Sequence, residues 1–108
     1  MKCLDIFILV FYALDNIYDK KPTEVLGNFL SDMNPFLFKG EGSAVPDVYE
    51  AFKKSFEEKF EKECSEKESY YFVKDYICKL KIREIIKAFE QISLEQWITA
   101  ARVYKNNQ

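Results

Sequence analysis

Four carboxylates, Asp32, Glu41, Asp47 and Glu50, lie in or beside NPFLFKGEGSAVPDVYE (residues 34–50), the stretch where Gly and Pro concentrate. Carboxylates on a glycine-bearing loop are the raw material of a calcium site. A twelve-residue calcium loop, however, needs oxygen ligands at alternate positions, a glycine at the sixth and a glutamate at the twelfth. The four carboxylates do not fall in that order. Phosphate binding fits no better, because KGEGS lacks the GxxxxGK[ST] order and sets a carboxylate between its glycines.

The remaining inventory of reactive groups is thin. The chain contains no His, which removes His-based triads and the usual His-containing zinc sites. Acidic neighbours such as Asp15 and Asp19 arise readily on a solvated helix and do not point to paired-carboxylate hydrolysis. Cys3, Cys64 and Cys78 form neither a CxxC pair nor an even set, the pattern of reduced cytosolic thiols. Cys78 sits among apolar residues and is expected to be an inert core thiol. Cys64, beside Lys62 and Lys67, is expected to be the exposed one, with no base or anion hole to pair with it. No metal or cofactor is expected, and no catalytic activity.

Lys79, Arg83 and Lys87 recur every four residues and are joined by Lys81, which makes these four the candidate anion contacts. Their ordinary role would be favourable placement toward the C-terminal half of a helix, together with solubility. With Arg102 and Lys105 they are also the residues a nucleic-acid-associated protein would use. Against this, 16 basic and 18 acidic residues leave a net charge of -2, which creates no long-range attraction to nucleic acid or an anionic membrane. No recognition motif accompanies the cluster.

The elements that must position these groups follow from periodicity. A length of 108 residues suits one domain, and 48% hydrophobic with 31% charged residues excludes both a wholly disordered chain and a polytopic membrane protein. Ten Phe and seven Tyr predict a core rich in rings. The apolar run from Ile6 to Leu14 is too short to span a bilayer, which takes about 20 residues. It lies between Asp5 and Asp15, and no small-x-small site closes it, so a buried helix is expected rather than a signal peptide. Leu4, Phe7, Ile8, Phe11, Leu14 and Tyr18 mark its apolar stripe, while Leu9, Val10 and Ile17 widen the arc beyond one face. A strand through FILVFY is the competing assignment, but the chain offers no comparable second strand to pair with it.

Further along, Pro22 suits a first helical turn, and Asn34 with Pro35 stops that helix. Gly27 within it either permits a close crossing or is a tolerated weakness. Tyr49, Phe52, Phe56 and Phe60 align along the next helix, whose other faces alternate in sign. Ser65 with Glu68 and Ser93 with Gln96 have capping-box spacing, and Ile92 with Trp97 occupies the two hydrophobic-staple positions. The resulting expectation is an all-α bundle of about five helices near 3–19, 22–33, 44–63, 66–91 and 94–105. It forms one domain over 1–108, with an irregular crossover near 34–43, a frayed tail over 105–108, and the first and fifth helices as the inner pair.

Function is read from surplus apolar surface. The Phe36 to Phe38 cluster is expected to plug one end of the bundle, the alternative being that its rings line a recognition groove. Leu9, Tyr12, Phe36, Phe38 and Trp97 are the candidate interaction residues. The expected protein is a small cytoplasmic interaction or regulatory module whose simplest partner is a second copy of itself, as a homodimer. The alternative is a nucleic-acid-associated protein using the basic face over 79–87.

Overall fold

In the computed structural model, which describes residues 1–37 and 42–107, the first helix, α1 (Cys3–Lys20), runs through the middle of the molecule. Its broad apolar arc explains this position. Ile6, Phe7, Leu9, Val10 and Leu14 are all buried, and no single neighbour could cover so wide a face. Helices α2 (Glu24–Met33), α3 (Pro46–Lys59), α5 (Arg83–Glu90) and α6 (Leu94–Asn106) all pack against it, and α4 (Glu66–Leu80) closes the bundle over α3, α5 and α6. The described residues thus form an all-α bundle of six helices with no strand. The radius of gyration, 12.9 Å, matches the ~13 Å of a compact chain of about 100 residues. None of the described helices is long and apolar enough to cross a membrane.

The start of α1 is fastened to the α3–α4 connection. The Cys64 amide donates to the Met1 carbonyl at 3.0 Å, the Met1 ammonium donates back to the Cys64 carbonyl, and the Met1 side chain is buried. At its other end α1 stops at Lys20, and α2 begins two residues later than the sequence predicts. Thr23 rather than Pro22 sets the boundary, because its hydroxyl accepts from the Leu26 amide at 3.2 Å and leaves Pro22 outside the helix. Gly27 serves a close crossing: a Cβ there would lie 3.1 Å from Tyr18 Cε2 on α1.

After α2, Asn34 Oδ1 accepts from the Phe36 amide at 2.9 Å and bends the chain into a 3₁₀ turn over Pro35–Leu37. The base of this crossover is closed by two backbone bonds, Ala44 N–H to Asn34 O and Val45 N–H to Asp32 O, both 2.9 Å. Helix α3 is shorter than the predicted 44–63. Val45 is extended ahead of Pro46, as the proline ring requires of the residue before it. The buried Ser43 hydroxyl accepts from the Tyr49 amide at 3.0 Å, so a residue outside the helix satisfies one of its first-turn donors. At the far end Phe60 turns out of the helix, and its ring meets Phe56 and Phe72 with centroids 5.2 and 5.8 Å away.

The largest departure from the sequence reading lies in 66–91. In place of one long helix, α4 ends at Leu80, Lys81 adopts the left-handed conformation with φ 59°, Ile82 is extended, and α5 starts at Arg83. The turn swings Ile85, Ala88 and Phe89 of α5 into the core against α1 and α2, which a straight continuation of α4 would leave unburied. Both expected capping boxes are present, at Ser65–Glu68 and Ser93–Gln96. The last helix packs mainly on α4 rather than pairing chiefly with α1, because Trp97 is seated there. It continues one residue past the predicted 105, and Lys105 is held 3.3 Å from Glu66 instead of fraying.

The core is ring-rich, as expected. Phe7 meets Tyr49 and Phe52 at 5.0 and 5.2 Å, and Phe52 continues to Phe72 and Tyr76 at 5.4 and 5.1 Å, all edge-to-face. This geometry sets the positive ring edge on the negative face of its neighbour and adds about 0.5–1.5 kcal/mol per pair beyond burial.

Candidate interaction face

The four most exposed large apolar side chains outside Tyr71 lie on α1 and on the two elements that flank it, the 3₁₀ turn and α6. Tyr12 is 46% exposed, Phe36 56%, Leu37 72% and Val103 56%. Phe36 lies over α1, its ring 5.8 Å from that of Phe11 and 5.7 Å from that of Tyr12. The turn imposes this placement: Asn34 caps the bend, Pro35 is buried beneath it, and the next two side chains are left outside. The expectation that this cluster plugs the bundle is therefore corrected: Phe36 lies on the outside of α1, and Leu37 is left in water. Phe38 lies outside the described residues.

On the other side of Tyr12 a shallow depression opens between α1 and α6, lined by Leu9, Tyr12, Ala100, Val103, Tyr104 and Asn107. The Tyr104 hydroxyl donates to Asp5 Oδ1 at 3.2 Å and holds the C-terminal half of α6 against α1. Of the candidate interaction residues, Tyr12 and Phe36 are thus brought together at the surface. Leu9 is 3% exposed and forms the floor of the depression. Trp97, 1% exposed, sits inside the α4–α6 packing, where its indole donates to Ser69. Sequence reasoning missed Val103, although it lies outside the α6 apolar stripe of Leu94, Trp97, Ile98, Ala101 and Tyr104. A valine off its helix's apolar face is the signal that could have found it.

The candidate anion contacts do not form one stripe. Lys79 belongs to α4 and pairs with Asp75 at 3.0 Å, Lys81 is the left-handed residue of the break, and Arg83 and Lys87 belong to α5, on a new axis. All four are exposed, but the four-residue spacing that aligned them on a continuous helix is interrupted between Lys79 and Arg83.

The cysteine expectations are reversed. Cys64 is buried beside Met1, and loss of solvent around it pushes its thiol up to about 11. Cys78 is exposed. Near the same corner, the carboxylate of Glu66 is held below the usual range, first by a hydrogen bond to its own backbone and then by Lys105. The class of protein these features define is a small all-α bundle with an aromatic-lined apolar face. Compared with family models, curated proteins and solved structures, the chain matches none of them.

Proposed function

We propose that this chain is a small protein-interaction module that self-associates, two copies meeting through Tyr12, Phe36, Leu37 and Val103. The observation that carries this reading is that the exposed Tyr12 and Val103 line one depression and the exposed Phe36 ring lies against Tyr12 at its side, with the exposed Leu37 next in the chain. Monomeric proteins keep such contiguous apolar surface small, and a partner that covers it gains the free energy of its removal from water. A two-fold arrangement suits the face, because it offers both a projection, Phe36, and a recess, the α1–α6 depression, for a reciprocal fit. The role is binding rather than catalysis. A reducing, cytosolic setting is part of the reading, supported by the exposed Cys78 thiol and by a buried Cys64 that serves packing.

The test is light scattering over a dilution series from millimolar to low micromolar protein. Self-association makes the mass rise from 12.8 kDa toward twice that value as concentration increases. A mass that stays at 12.8 kDa throughout overturns the proposal.

A further inference from the structure

Away from that face, helices α1 to α4 surround a cavity of about 260 Å³. Its inner wall is Phe7, Met33, Phe52, Val73 and Ile77, all buried and all apolar. Ala51, exposed, stands at the mouth with Tyr76 and Asp47. Interiors pack with few voids larger than a water molecule, so an opening of this size is a specific feature of the packing. Water fills it poorly. A bound water needs two to four polar partners, and among the described residues Asp47 and Tyr76 are the only side chains on the lining with a polar group.

Size and charge narrow the occupant. A cavity of about 150 Å³ lined by Leu, Ile and Phe takes benzene, so one of 260 Å³ takes about ten heavy atoms by the same proportion. It is far too small for a partner helix, whose diameter with side chains is about 10–12 Å. Among the described residues Asp47 is the one charged residue on the lining, so the mouth disfavours a carboxylate or phosphate head and favours a cation. We infer that this cavity binds a small apolar amine, with a ring or short alkyl body against Phe7, Val73 and Ile77 and its ammonium at the mouth beside Asp47. The Tyr76 hydroxyl, which burial keeps protonated above its usual range, is a second polar group at the mouth.

Phenethylamine and phenylacetate, a cation and an anion of similar size, are the probes. Each is titrated into the full chain carrying ¹³C-labelled methyl groups. Phenethylamine is expected to move the Val73 and Ile77 methyl resonances saturably, and phenylacetate to bind about fivefold or more weakly at low salt. Asp47→Asn should bring the two affinities to within about twofold of each other by weakening the amine. Ala51→Phe should fill the mouth and abolish both titrations without lowering the unfolding midpoint. The inference is overturned if wild-type protein gives no saturable shift at Val73 and Ile77, or if the carboxylate binds as tightly as the amine. These wild-type results decide the question even if a variant misfolds.

Discussion

The indole Nε1 of Trp97 on α6 donates to the Ser69 hydroxyl on α4 at 2.8 Å, and that hydroxyl donates in turn to the Glu66 carbonyl at 2.6 Å. Both residues are buried, so the hydrogen bond is shielded from water and fixes the register of the two helices. Beside it the Tyr70 hydroxyl donates to the Ile92 carbonyl at 2.7 Å, and the Phe89 ring meets Trp97 at 5.8 Å. Native fluorescence should therefore be blue-shifted. Trp97→Ala should cost about 3–5 kcal/mol in urea unfolding. Ser69→Ala should cost about 1–3 kcal/mol, because it strands the indole N–H without an acceptor. A water-like native spectrum would contradict the packing.

Lys81 carries a backbone conformation that L side chains resist, at about 1–2 kcal/mol. Glycine removes that strain but adds freedom to the unfolded chain. Lys81→Gly is therefore expected to stabilise the protein by about 0.5–1 kcal/mol, whereas Lys81→Ala should bring no such gain. Urea midpoints of the two variants beside wild type provide the measurement.

Exposure of Tyr12 and Phe36 makes charge at either position cheap for the fold and costly for the apolar contact. Phe36→Glu should leave the thermal midpoint within a few degrees of wild type, as surface changes of about 0.5 kcal/mol do. The same change should hold the protein at 12.8 kDa at concentrations where wild type is heavier. Sedimentation of the two proteins side by side reads both species.

The thiols separate by accessibility. With native protein at pH 8, a thiol reagent followed by peptide mapping should modify Cys78 rapidly and Cys64 only after denaturant is added. Burial raises the Cys64 pKa from 9.0 to about 11. The unfolded chain therefore loses that proton first as pH rises. The stability tied to the neutral thiol is intact below about pH 9 and is lost between there and about pH 11. Stability should fall less steeply across that window in Cys64→Ala than in wild type, as read by urea midpoints.

Splitting of the basic residues across the Lys81 break bears on the nucleic-acid alternative. Titration of labelled DNA or RNA at physiological salt is expected to find no salt-sensitive binding. An affinity that weakens steeply with salt and is lost in Arg83→Glu would reverse that expectation.

What the chain order alone determined was what short-range physics controls. Ser65 with Glu68 and Ser93 with Gln96 cap their helices because three-residue spacing suffices for a side chain to reach the backbone. The aromatic stripe from Tyr49 to Phe56 announced the buried face of α3, because helical periodicity sorts a helix into wet and dry sides. The exposure of Cys78 went unread in the sequence although it carried a signal: Cys78 follows the exposed Lys74 by four residues and precedes the exposed Lys79, while the buried Ile77 follows Val73. Tertiary structure decided the rest. No Gly or Pro marks the break at Lys81; the left-handed turn exists because burial of Ile85, Ala88 and Phe89 against α1 and α2 outweighs its local cost. Cys64 is buried because Met1, 63 positions earlier, folds back to pair with its backbone. Phe36 lies outside α1 because the Asn34 bend and the buried Pro35 aim it there, which no periodicity within 34–37 encodes. Such placements depend on contacts between residues far apart in the chain, and local spacing carries no information about which distant surface a side chain will meet.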